Sequence, residues 1–72
     1  MPTIDMKATG KNIKDMMKNK GMKTGDIQAI FGFNTPQAIF KWFRGDAMPT
    51  IDNLVILAQI FDTTMDAIVV IK

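Results

Sequence analysis

With 72 residues the chain is long enough for one small domain, and a domain of that size buries so little surface that its core must be economical. It has neither cysteine nor histidine, which excludes disulfides, thiolate or imidazole metal sites and Cys-His or Ser-His nucleophile pairs, so no metal and no cofactor is expected. The net charge of +2 conceals a division: residues 1–44 hold eight Lys/Arg against three Asp, a net +5, whereas residues 45–72 hold Lys72 against four Asp, a net −3.

A basic half of this kind either draws a polyanion to one face or is an ordinary solvated surface. Apolar residues never run for the ~20 positions a membrane span needs. The N-terminus lacks the basic region and apolar block of a signal peptide, and a cytoplasmic location is the expectation.

Taken in order, the first predicted helix covers about 10–20, with Thr9 as its cap, Ile13, Met16 and Met17 at three- and four-residue spacing, and Gly21 closing it. Lys11, Lys14 and Lys18 share a wet face rotated away from that stripe. A second helix is predicted from Thr24 to Phe31, with Thr24 as cap, Asp26 in the positive first turn, and Ile27, Ile30 and Phe31 facing inward. Gly32 stops it, and Phe33 and Asn34 form the link. Thr35 is then expected as the N-cap and Pro36 as the first residue of a third helix that ends at Gly45. Two short helices joined by one tight glycine turn, over Thr24 to Gly45, read as a helix-turn-helix and point to DNA.

In the third helix Ile39, Trp42 and Phe43 form the inward stripe, leaving Gln37, Phe40, Lys41 and Arg44 more exposed. Two roles stay open for Phe40: a core ring, or a ring that touches thymine methyls in a groove. Thr50 caps a fourth helix, about 51–61, whose Leu54, Leu57, Ala58 and Phe61 face inward and whose role is structural. A last short helix starts at Thr63 or Thr64 and contains Met65, Asp66 and Ile68. The β-branched run Ile68 to Ile71 either finishes that helix or forms a strand, and the alternation of Ile4, Asp5 and Met6 allows a short strand at the other end. Methionines 16, 17, 22, 48 and 65 are expected to fill the core. No pair of carboxylates is supported by a base, a metal spacing or a phosphate-cradling loop, so no enzyme is expected.

The run PQAIFKWFRGDAMPTIDNLVILAQIF (36–61), preceded by a helix ending in Phe31-Gly32, resembles the Xre/Cro/cI helix-turn-helix regulators of bacteria and phages. The likeness extends over roughly residues 9–68. Its most specific piece is Ile39 two residues before Lys41-Trp42, then Arg44-Gly45, Pro49, Thr50, Ile51-Asp52-Asn53-Leu54 and Ala58. The resemblance implies an all-α, five-helix lambda-repressor-like domain spanning 1–72, with a short terminal β pairing as an option. It also implies sequence-specific binding of double-stranded DNA and control of transcription, as a repressor rather than an activator. Position by position, Ile39 and Trp42 match the buried pair of the recognition helix, Gln37, Phe40 and Lys41 match positions that face base edges, and Thr24 matches a phosphate-contacting position. The Arg44–Ala47 loop matches a stretch that lies along the DNA backbone. Together with the basic residues nearby, the expected phosphate contacts are Lys14, Lys18, Lys23, Thr24, Thr35 and Arg44.

Three positions depart from the family pattern. The link between the second and third helices is one residue longer than usual, because both Phe33 and Asn34 precede Thr35. Pro36 stands where many relatives carry a polar base-reading side chain, and Phe43 stands where the family often has an acid that pairs with a cation on the first helix, leaving Lys18 to solvent or phosphate. An alternative function is a protein-interaction module, an antitoxin or adaptor, with Phe40 as anchor. A homodimer is expected at least on DNA, because one recognition helix covers only a few base pairs. Its candidate surface is Met65, Ile68, Val69 and Ile71, unless that segment folds back against Ile4 to Met6 of its own chain.

Overall fold

A computed structural model describes residues 3–72 as five helices, α1 (Met6–Asn19), α2 (Thr24–Phe31), α3 (Gln37–Arg44), α4 (Ile51–Ile60) and α5 (Met65–Ile68). Met1 and Pro2, the first residues of the expected 1–72 domain, lie outside the described residues. One apolar cluster joins every helix: Ile13 and Met17 of α1, Ile27 of α2, Ile39 and Trp42 of α3, Leu54, Leu57 and Ala58 of α4, Phe61 just beyond it, and Ile68 of α5. The three- and four-residue spacings of these side chains put them on one stripe per helix, which is why each helix has a single dry side.

The first helix begins earlier than its sequence pattern suggests. Asp5, extended at φ −87° and ψ 97°, is the cap, and its carboxylate accepts from the Ala8 N–H at 3.0 Å. Thr9, expected as the cap, instead lies inside α1 and is fully buried, its hydroxyl accepting from the Val70 N–H at 2.9 Å. A buried threonine facing a returning chain segment is more use as an acceptor for that segment than as a cap, and Asp5 is free to serve the helix end. Gly10 follows for a steric reason: a Cβ there would lie 1.9 Å from the Trp42 carbonyl oxygen, so only glycine lets α1 cross the end of α3 this closely.

Other cap assignments shift by one residue. Lys23, not Thr24, is the half-helical residue before α2, and its N–H donates to the Asp26 carboxylate at 2.9 Å. Pro36, not Thr35, precedes α3; its carbonyl accepts from Phe40 at 3.1 Å, and Thr35 makes no capping bond. Proline has no N–H to satisfy, so the start of α3 leaves one fewer orphan donor for a hydroxyl to serve. Thr50 caps α4 as expected, accepting from Asn53 at 3.3 Å, and Thr64 caps α5 by accepting from Ala67 at 3.2 Å.

The C-terminal run resolves as a fold-back. After α5 the backbone is extended; the Asp5 N–H donates to Val70 O and the Lys72 N–H to Thr3 O, both at 2.8 Å, around an isolated antiparallel bridge between Ile4 and Ile71. Among the described residues this bridge is not extended into a strand, because Met6 already starts α1. Ile68 is fully buried and Val69 packs on the core, so two of the four residues proposed for a dimer surface are used inside the chain. Asn12 of α1 completes the junction, donating to Ala67 O at 2.8 Å and Ile68 O at 2.9 Å, carbonyls that a one-turn helix leaves without partners. Two residues expected inside are outside: Ile30 is 51% and Met65 38% exposed. Each lies on a short helix whose inward stripe is already filled, by Ile27 and Phe31 in α2 and by Ile68 in α5.

Candidate nucleic-acid interface

The turn between α2 and α3 is built from aromatic rings. Gly32, in the left-handed region at φ 70°, ends α2, with Phe33 N–H donating to Gln28 O at 3.1 Å and the Gln28 side-chain amide donating back to Phe33 O at 3.2 Å. Phe33, read from the sequence as part of a link, stacks on Phe31 at 5.3 Å and meets Trp42 edge-on at 6.0 Å, while Phe31 meets Trp42 edge-on at 5.8 Å. The longer link thus carries an anchor: three rings fix α3 against α2, and such pairs contribute about 0.5–1.5 kcal/mol each beyond their buried area. The signal was the unusual Phe31-Gly32-Phe33 spacing, which puts two rings on either side of a glycine.

With Ile39 and Trp42 buried, the opposite side of α3 faces solvent. Gln37, Phe40, Lys41 and Arg44 line one shallow depression of about 210 Å³ there. Phe40 is 42% exposed, which removes it from the core and leaves its ring on the outer face, 6.3 Å from Phe43. Gly45, left-handed at φ 78°, ends α3, and a Cβ there would come within 2.8 Å of the Lys7 backbone, so this glycine both turns the chain and admits the first turn of α1. Arg44, just before it, pairs with Asp46 at 2.8 Å, both side chains being about 60% exposed. An exposed pair of this kind contributes about 0.2–1 kcal/mol, so the guanidinium can exchange the carboxylate for a stronger anion.

Besides Arg44, the expected phosphate-contacting residues divide into two groups. Lys14, Lys18, Lys23 and Thr24 surround one cavity of about 250 Å³ whose floor is Met17, Met22 and Phe43. Lys14 Nζ stands 5.8 Å from the centre of the Phe43 ring. Phe43 is half-buried: it packs against the core cluster, as expected of the inward stripe, and its outer side forms part of this floor. Thr35 lies on the other side of α3, in a wider cleft of about 480 Å³ shared with Gln37, Lys41, Thr50 and Asn53. Thr50, the cap of α4, and Asn53 in its first turn thus border the same cleft as Gln37 and Lys41.

Among the described residues no group of three or more carboxylates converges as a metal site would require, and no helix is long and apolar enough to cross a membrane. A family model described as Helix-turn-helix matches residues 13–68, more than half of the chain and all of α2, α3, α4 and α5. No curated protein and no solved structure matches the chain.

Proposed function

The chain belongs to this helix-turn-helix family of DNA-binding regulators, of the Xre or lambda-repressor-like type, and from that we propose that it represses transcription by occupying a specific duplex site with α3 in the major groove. The observation that carries the proposal is the outer face of α3, where Gln37, Phe40 and Lys41 stand together while Ile39 and Trp42 are buried on the opposite side. In that groove the Gln37 amide suits adenine, Lys41 suits guanine O6 and N7, and the Phe40 ring suits a thymine methyl. Lys14, Lys18, Lys23, Thr24, Thr35 and Arg44 take the phosphates and supply affinity without sequence preference. The protein then acts in the cytoplasm, where its DNA is, as one domain over residues 1–72 that needs no cofactor and catalyses no reaction, with two copies on a near-palindromic site one helical turn apart.

Binding should weaken steeply with salt, because each neutralised phosphate contributes a slope of about −0.9 in log K against log salt. Titration of a labelled duplex between about 50 and 200 mM salt measures it, and a flat profile would remove the phosphate contacts from the mechanism. The exposed Phe40 ring favours a second reading, a protein-interaction module. A chain released from heparin at very low salt would support that reading instead.

A further inference from the structure

The cavity between α1, the start of α2 and the end of α3 is more than a row of cations. Its floor is apolar, made by the buried Met17 and the half-buried Met22 and Phe43, and its rim carries Lys14, Lys18 and Lys23. No carboxylate lines it: Asp15, next to Lys14 along α1, is not among its walls, and Asp26, two residues beyond Thr24, turns back to the Lys23 N–H. Among the described residues the one ion pair is Arg44 with Asp46, so none of the three rim ammoniums is neutralised by the protein. Lys14 rests over the Phe43 ring, which holds a positive charge directly above an apolar wall.

A DNA phosphate would use only the rim of such a site. Phosphate is charged on all sides and gains nothing from two thioethers and a phenyl ring. The chemistry that uses both parts is an organic anion with a carboxylate at one end and a small apolar body at the other. Ligand clefts usually span about 300–1,000 Å³; at about 250 Å³ this one suits a single aromatic ring or a short acyl chain. We propose that this cavity binds a small amphipathic monocarboxylate, its apolar body against Met17, Met22 and Phe43 and its carboxylate among Lys14, Lys18 and Lys23. Resting on the phosphate-contacting role proposed above for those lysines, occupancy competes with DNA, so the ligand acts as an inducer that releases the operator.

The test separates the site from its consequence. In the first arm the full chain, without DNA, is titrated with 3-phenylpropionate while methionine methyl and aromatic resonances are followed by NMR. Saturable shifts at Met17, Met22 and Phe43 are expected. Inorganic phosphate and acetate, which have the charge alone, and 3-phenylpropanol, which has the ring alone, should each bind at least about tenfold more weakly, the loss of one charged or apolar contact worth about 1.4 kcal/mol. The doubly substituted Lys14→Gln, Lys18→Gln chain, checked for fold by its spectrum, should bind the acid and the alcohol alike. Phosphate binding as tightly as 3-phenylpropionate, or shifts that never saturate, would overturn the site. In the second arm, the acid should displace a labelled duplex from the unaltered chain at the concentrations that saturate the first arm, and the alcohol should not. Saturation without displacement would overturn the inducer role while leaving both the site and DNA binding in place. A chain that binds no duplex at all fails the proposed function, and the first arm is unaffected by that result.

Discussion

Gln37 and Lys18 present different chemistry to the same duplex. The Gln37 amide offers one donor and one acceptor in a fixed plane, which matches one base edge, whereas the Lys18 ammonium is a point charge that meets any phosphate. Gln37→Ala should therefore relax preference at one base position and cost about 1–3 kcal/mol on the best site, while Lys18→Ala should weaken all sequences alike. Binding to a set of duplexes with single base changes distinguishes the two patterns. Equal losses on specific and random DNA from both variants would take α3 out of the groove. Gly10 matters for stability rather than recognition. A methyl group there would meet the Trp42 carbonyl oxygen at 1.9 Å, and that atom belongs to the backbone of a helix already pinned by two other rings. Overpacking in a well-packed core typically costs about 1–3 kcal/mol, and a clash with backbone is at the upper end because nothing flexible can yield. Gly10→Ala should lower the urea midpoint markedly and weaken DNA binding only through that loss; a variant of unchanged midpoint would mean that α1 and α3 are not so close in solution.

At the scale of elements, α1 decides how much of this architecture could be read in advance. Its apolar stripe at Ile13 and Met17 was legible from spacing, as were the glycine ends of α2 and α3 and the Thr50 cap of α4. Its start was not. Asp5 and Thr9 are both good caps, four residues apart, and local chemistry alone cannot choose between them; the choice is made by Val70, which arrives from 61 residues away to take the Thr9 hydroxyl. The same long-range reach explains Asn12, whose two bonds to the end of α5 have no local signature. Of the candidate site, the outer face of α3 was legible because it is one helix with one polar side. The floor beneath the lysines was not, since Met17, Met22 and Phe43 come from three separate parts of the chain. The cap assignment is itself testable. Asp5→Ala should cost about 0.5–2 kcal/mol by leaving the first turn of α1 without its acceptor, whereas an exposed terminal residue of no structural role would cost almost nothing. Thermal denaturation followed by circular dichroism reads the difference.

For the whole molecule, the open issue is whether the C-terminal residues serve the monomer or an assembly. Three hydrogen bonds tie them inward: Val70 N–H to the Thr9 hydroxyl, and, between backbone groups, Asp5 N–H to Val70 O and Lys72 N–H to Thr3 O. Ile68 fills the core and Val69 leans on it, which leaves Met65 at 38% and Ile71 at 63% exposure as the outward remainder. Two separated side chains make a poor dimer seam, since a stable interface needs about 800 Å² from each partner. A chain ending at Ile68 is the informative variant, because it keeps the buried side chain and removes the fold-back. It leaves the fully buried Thr9 hydroxyl and the Asp5 N–H without partners. An unmet buried polar group costs about 1–3 kcal/mol, so urea denaturation should show a clear loss of stability. If the segment serves only the monomer, the truncated chain should still place two copies on a palindromic duplex at temperatures where it remains folded, as sedimentation with and without the duplex would measure. The opposite pattern, unchanged stability with one copy per duplex, would assign the segment to the dimer and require the pairing of Ile4 with Ile71 to form between two chains instead of within one.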